Sequence, residues 1–184
     1  MGKDGAEKYN RKEEILYDGK RYRKYNNYLT AGGGFASASN RGDLQKAIGV
    51  DFQFHIRRQY FQMGVMMSGD AFLSNNHVQA HVGYGLRKEK NTTNLAAFAG
   101  PTYFTGVEGI SGVTAASFYD GFGAYICLQG ITKLAYDIGF GAELFGEVNY
   151  KHSVAGIKFI LFFSGSYRGV KRNYNPNVKT ENQK

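Results

Sequence analysis

The sequence predicts an all-β fold, an eight-stranded antiparallel up-and-down barrel, and three observations lead there. Apolar and polar residues alternate with period two through most of the chain. Residues 48–56 are typical: apolar at every even position, polar or glycine at every odd one. Eight such segments follow one another with turn-forming residues between them, and no stretch carries a helical period that would supply a cover for an open sheet. An open sheet of eight strands would leave two unpaired edges, and closure removes both.

Taken in order, the first segment covers about 28–38, is rich in glycine, and ends at the turn signal Ser39-Asn40-Arg41-Gly42-Asp43. The second runs over 44–57 and returns through Arg58-Gln59 as 60–72. Ser74-Asn75-Asn76 leads into 77–87, and the charged turn 88–92 into 93–105, where Pro101 removes a ladder donor and predicts an irregularity. A loop at 106–116 precedes 118–129, a turn at 130–133 precedes 134–150, and Lys151-His152 turns the chain into the eighth segment, 153–167.

Composition suits this fold and restricts its setting. Of 184 residues, 25 are Gly, 14 Tyr and 14 Phe, against two Pro and no Trp, a balance favouring close-packed pleated walls. No apolar run approaches the roughly 20 residues of a membrane helix; the longest, 157–163, is broken by Lys158. The single Cys127 allows no internal disulfide and reads as a small buried filler. The first residues lack an apolar signal region, so the expectation is either a cytosolic protein or a mature form with an added or renumbered start. Of the net charge of +8, residues 1–26 and 168–184 supply almost all, leaving 27–167 nearly neutral. The domain reading is therefore a basic N-terminal extension (1–26), a barrel (27–167) and a basic C-terminal tail (168–184).

The direction of the two faces decides between membrane and water. One face carries Ile48, Val50, Phe52, Phe54 and Ile56, and in the last segment Ile157, Phe159, Leu161 and Phe163. The other carries glycines and a few charges of mixed sign, unlike the Lys- and Glu-rich exterior of a soluble barrel. Small residues with sparse opposed charges suit a narrow lumen, and a continuous apolar face suits lipid. Several segments also reach the ~9 to 11 residues of a tilted transmembrane strand. Tyr60, Tyr84, Tyr103, Tyr150 and Tyr167 lie where interfacial girdles would form. The predicted fold is thus a transmembrane β-barrel with short loops and polar tails. A soluble barrel holding an apolar ligand inside is the alternative.

On this pattern and strand number, residues 28–167 resemble the small eight-stranded outer-membrane barrels, the class of the OmpA transmembrane domain and OmpX. The resemblance implies a bacterial outer-membrane location with both termini in the periplasm, the turns 58–59, 88–92 and 130–133 on that side, and the loop 106–116 facing out. The chain departs from that class in its 17-residue polar tail, where a terminal aromatic is usual, and in its short loops.

Charges inside a closed lumen must be paired. A tight hairpin about Lys151 would set Lys158 opposite Phe145 and diagonal to Glu143 and Glu147, and Ser68 would face His81 beside Asp70. Asp51, His55, Arg57, Arg87 and Asp137 would add a second belt. These residues form either a structural network plugging the lumen or the lining of a proton or ion path.

No chemistry of another kind is legible. His55, His77, His81 and His152 form no metal-ligand spacing, and no cofactor motif is present. A lipid-modifying enzyme would need a nucleophile beside a base, but the adjacent His152 and Ser153 of one strand point to opposite faces. Gly32-Gly33-Gly34 lacks the Lys of a phosphate loop and reads as close backbone packing or a bulge. Lys20, Arg21, Arg23 and Lys24 interleave with Tyr22 and Tyr25; with Lys171 and Arg172 they read as a headgroup anchor or protein-docking surface rather than a nucleic-acid site. The functional expectation is a noncatalytic outer-membrane barrel serving as an accessory subunit of a secretion or assembly machine. Its partners would be outer-membrane lipids and envelope proteins.

Overall fold

A computed structural model describes residues 14–39, 44–69, 76–109, 116–151 and 153–170. Eleven strands are present among them: β1 (Glu14–Tyr17), β2 (Lys20–Arg23), β3 (Tyr28–Ala38), β4 (Leu44–Ile56), β5 (Gln59–Gly69), β6 (Asn76–Glu89), β7 (Thr93–Gly109), β8 (Ala116–Ala135), β9 (Ile138–Asn149), β10 (Ser153–Ser164) and β11 (Tyr167–Val170). Strands β3 to β10 close an antiparallel barrel in chain order, with β10 hydrogen-bonded to β3. The predicted eight-strand barrel is therefore the observed one.

The register can be followed around the wall from Tyr28 through Gln53, Gln62 and Gly83, continued across the gap in the β6–β7 ladder to Gly100, and on through Tyr125, Glu147 and Val154, returning at Ala38, ten residues further along β3. Such a stagger tilts the strands, which is what lets eight of them close. Pro101 interrupts the wall as expected. The β6–β7 ladder stops at His81↔Thr102 and resumes in the same register at Tyr84↔Ala99, opposite the missing donor. The Gly32 to Gly34 stretch is a continuous part of β3, and a Cβ at Gly34 would collide with the carbonyl of Ile157 on β10.

The apolar face looks outward. Ile48, Val50, Phe52, Ile56, Phe159, Leu161 and Phe163 are exposed, and Phe54 and Ile157 are half-buried on the same side. Phe54 is partly covered because it stacks between Phe52 and Phe61. This overturns the alternative of a soluble barrel with an apolar cavity, since the aliphatic side chains lie outside and the polar ones inside. Tyr84, Tyr103, Tyr150 and Tyr167 are exposed, but Tyr60 turns inward and packs on Tyr25 instead of joining a girdle.

Two predicted turns are corrected. Residues 130–133 belong to β8, which continues through an irregularity near Lys133 to Ala135, and the turn is Tyr136-Asp137. The β6–β7 turn is likewise shorter than 88–92, because Lys88 and Glu89 are paired in β6. At 106–116 the strands extend to Gly109 and from Ala116, and residues 110–115 lie outside the described ones.

The terminal segments do not stand apart from each other. β1, β2 and β11 form a three-stranded sheet, so part of the predicted C-terminal tail pairs with the N-terminal extension. The β1–β2 turn, Asp18-Gly19, has φ of 49° and 68° at its two residues, the left-handed pair of a two-residue hairpin turn. The sheet lies at the barrel end where β3 begins and β10 finishes, the termini end, together with the β4–β5, β6–β7 and β8–β9 turns. Tyr22 stacks there on Tyr136 with ring centroids 4.6 Å apart.

Candidate functional site in the barrel lumen

Alternation along each strand delivers the lumen residues, and the register decides which of them meet. Lys158 on β10 is directly opposite Glu143 on β9, while Phe145 is opposite Gly156. This corrects the predicted Lys158/Phe145 pairing by a shift of hairpin register. Lys158 Nζ lies 2.8 Å from Glu143 Oε1 and donates to Asp51 Oδ2 on β4 at 3.1 Å, and all three side chains are sealed from solvent. Two glycines make the room. A Cβ on Gly64 would run into the Asp51 carboxylate, and one on Gly49 would come within 3.0 Å of Lys158 Nζ.

Asp51 also meets His81, whose Nε2 is 2.9 Å from Oδ1, and the His81 ring stacks on Tyr125 at 3.9 Å. The Tyr125 hydroxyl donates to Glu143 Oε1, and Gln129 donates to Glu143 Oε2. Tyr28 in turn donates to Gln129. This central layer thus holds two carboxylates, one amine and one imidazole, tied by tyrosine and glutamine donors. Removing water from such charges is costly, and their mutual pairing offsets that cost, although His81 Nδ1 makes no hydrogen bond among the described residues.

A second layer lies toward the far end, where His77 Nε2 is 3.0 Å from Glu147 Oε2 and the His77 ring stacks on Phe104 and Tyr119. Ser68 is opposite His77, whereas His81 is opposite Gly64, so the predicted Ser68–His81 pair does not form. Between the two histidines on β6, Gln79 is fully buried and its amide makes no hydrogen bond to either.

A third layer closes the termini end. Arg87 Nη2 is 2.7 Å from Glu89 Oε2, and Lys133 bonds the other oxygen of the same carboxylate. Lys133 lies over the Tyr136 ring and Arg87 over Tyr28. Glu89 also accepts the backbone N–H of Tyr25 at 2.7 Å, and Arg87 donates to the carbonyl of Asn26. The segment joining β2 to β3 is therefore fastened across the lumen mouth.

Of the predicted network, Asp51, His81, Glu143 and Lys158 converge in the centre, Glu147 lies above them and Arg87 below. His55 and Arg57 are corrections. His55 stands at the barrel end beside Asn27, with Nδ1 3.2 Å from its side-chain oxygen, and Arg57 is an exposed turn residue with φ of 58°. Both lie where β4 leaves the wall, beyond the sealed lumen. Asp137 is also outside it, in the β8–β9 turn, where it accepts from the Ser166 backbone N–H at 2.9 Å and from the hydroxyls of Ser164 and Ser166. Asp70, His152, Lys171 and Arg172 fall outside the described residues. Lys20 and Arg21 are exposed on β2, Arg21 with Glu14 at 3.8 Å, while Arg23 and Lys24 are half-buried.

Glu89 and Lys133 were missed because both fall in segments that read as turns. The Asp18-Gly19 pair between two short apolar-polar runs was the available signal for the capping sheet. Cys127 is buried and donates to Gln62.

No protein-family model matches the chain, and no curated protein matches it. Solved structures do match. Neisserial surface protein A is 10% identical with a TM-score of 0.60, covering 75% of this chain and 96% of its own. Ail, the attachment invasion locus protein of Yersinia pestis, is 8% identical at 0.57, covering 77% and 97%. The N-terminal β-barrel domain of Pseudomonas aeruginosa OprF is 12% identical at 0.53, covering 75% and 98%. The fold of this chain is thus that of the eight-stranded outer-membrane barrels.

Proposed function

We propose that the chain is an integral, noncatalytic protein of a bacterial outer membrane, acting as an accessory or structural subunit of an envelope machine for protein secretion or outer-membrane protein assembly. The observation that carries this reading is a sealed, ion-paired lumen inside a wall whose outward side is aliphatic and aromatic. A continuous apolar exterior of this extent is stable against lipid and not against water.

A lumen filled by side chains leaves the surfaces to do the work. The connections at the far end span few residues, 39–43, 70–75, 110–115 and 150–152, short for a receptor-binding surface of the kind an attachment protein presents. The wall and the termini-side sheet, with Lys20, Arg21 and Arg168 exposed, remain as contact surfaces for partner proteins. Purification of the tagged chain from native membranes in mild detergent tests this. Co-purification of defined envelope proteins at fixed stoichiometry is expected, and recovery solely as a monomer would remove the subunit assignment while leaving the barrel intact.

A further inference from the structure

Exposed charge is divided unevenly between the two barrel ends. At the termini end, Arg57 and Arg58 form the β4–β5 turn, Lys88 faces outward near the end of β6, and Lys90 lies in the β6–β7 turn; all four are exposed. None of the four is in an ion pair among the described residues. At the opposite end the exposed charges among the described residues are Lys46, Asp120 and Lys151, two cations and one anion against those four cations.

The four cations sit where the apolar wall stops. Exposed Ile56 immediately precedes Arg57, exposed Leu86 lies one outward position before Lys88, and Leu95 and Leu134 complete the apolar rim on the adjoining strands. This is the level at which hydrocarbon gives way to headgroups, and where long cationic side chains keep their stems in the apolar layer and their charges in the polar one. Arg57 also occupies a left-handed backbone position that Asn or Gly takes more readily, so turn geometry alone does not account for an arginine there.

We propose that Arg57, Arg58, Lys88 and Lys90 form a basic collar that binds the phosphodiester headgroups of anionic phospholipid in the leaflet on the termini side. Guanidinium groups match phosphate oxygens two at a time, and lysines add point charge at the same level. The inference rests on the membrane-spanning reading of the wall. It commits to phospholipid rather than to lipid A phosphates on the orientation that the resemblance implies, in which lipid A occupies the leaflet at the Lys46, Asp120 and Lys151 end.

The test uses the full chain refolded into neutral detergent and exposed to an equimolar mixture of phosphatidylglycerol and phosphatidylcholine, with a parallel sample given lipid A. Native mass spectrometry counts the lipids retained. Phosphatidylglycerol should be enriched on the parent, and the enrichment should fall about fivefold or more in the quadruple variant Arg57→Gln, Arg58→Gln, Lys88→Gln, Lys90→Gln. Lys46→Gln with Lys151→Gln should leave it unchanged. If the quadruple variant does not fold, the pair Lys88→Gln, Lys90→Gln should show a smaller loss in the same direction. Equal retention of both phospholipids by the parent, undiminished enrichment in the variants, or loss of lipid A alone would each overturn the collar. Insertion into liposomes is scored separately. A parent that never inserts fails the membrane reading, whereas one that inserts without headgroup preference fails only the collar.

Discussion

Lys158 and Glu143 face each other across the β9–β10 ladder with 2.8 Å between amine and carboxylate, and Asp51 reaches the same amine from β4 at 3.1 Å. One cation thus holds two buried carboxylates from strands three places apart in the wall. Lys158→Ala leaves both without it and should destabilise the barrel by about 3–5 kcal/mol. The neutral triple variant Lys158→Met, Asp51→Asn, Glu143→Gln should recover most of that loss. Urea unfolding in detergent micelles, followed by the gel shift between folded and heated forms, measures both. A Lys158→Ala protein as stable as the parent would show the triad to be energetically idle.

Gly64 provides the space that Asp51 occupies, since a Cβ there would strike the carboxylate and come within 2.8 Å of the Val50 carbonyl. Gly64→Ala should therefore lower stability by about 2 kcal/mol or more in the same assay. The outward-facing Ala80→Gly on the neighbouring strand should cost only about 1 kcal/mol. Equal effects would mean that Gly64 is not reserved for Asp51.

Glu89 fastens the terminal strap through the Tyr25 N–H while pairing Arg87 and Lys133. Glu89→Gln weakens charge-assisted bonds made by a carboxylate buried at the termini end of the lumen. It should raise the rate of tryptic cleavage within 20–24 by about tenfold or more, with the barrel core still resistant. Unchanged cleavage would show that the sheet is held by other contacts, such as the Tyr22–Tyr136 stack.

The reading of the three ion-paired layers as a structural plug predicts a closed lumen. The folded chain in planar bilayers should give no steady unitary conductance at neutral pH. A reproducible channel abolished or altered in Lys158→Ala would replace the structural plug with an ion path.

Much of this arrangement follows from local pattern, and the remainder depends on register. The outward direction of Ile48 to Ile56 was legible because period-two alternation repeats in every strand of the wall, and the lumen location of Asp51 and Lys158 followed from it. Which lumen residues meet was not legible. A shift of two residues in the β9–β10 hairpin changes the Lys158 partner from Phe145 to Glu143 while keeping the same face inward, and nothing within either strand fixes that shift. Glu89 and Lys133 were hidden for a related reason: charged residues near strand ends read as turns until the neighbouring strands are seen to extend past them. His55 and Arg57 erred the other way, because alternation continued past the level where the lumen ends.

The central claim, that the apolar outer wall of the barrel sits in lipid, is tested most directly by spin labels on single cysteines in a Cys127→Ala background. Labels at Val50, Val65, Leu144 and Leu161, all exposed on the outer wall, should be accessible to oxygen and shielded from a water-soluble nickel complex after refolding into liposomes. Accessibility to the nickel complex at these four positions, or a chain that stays in solution without detergent, would contradict it.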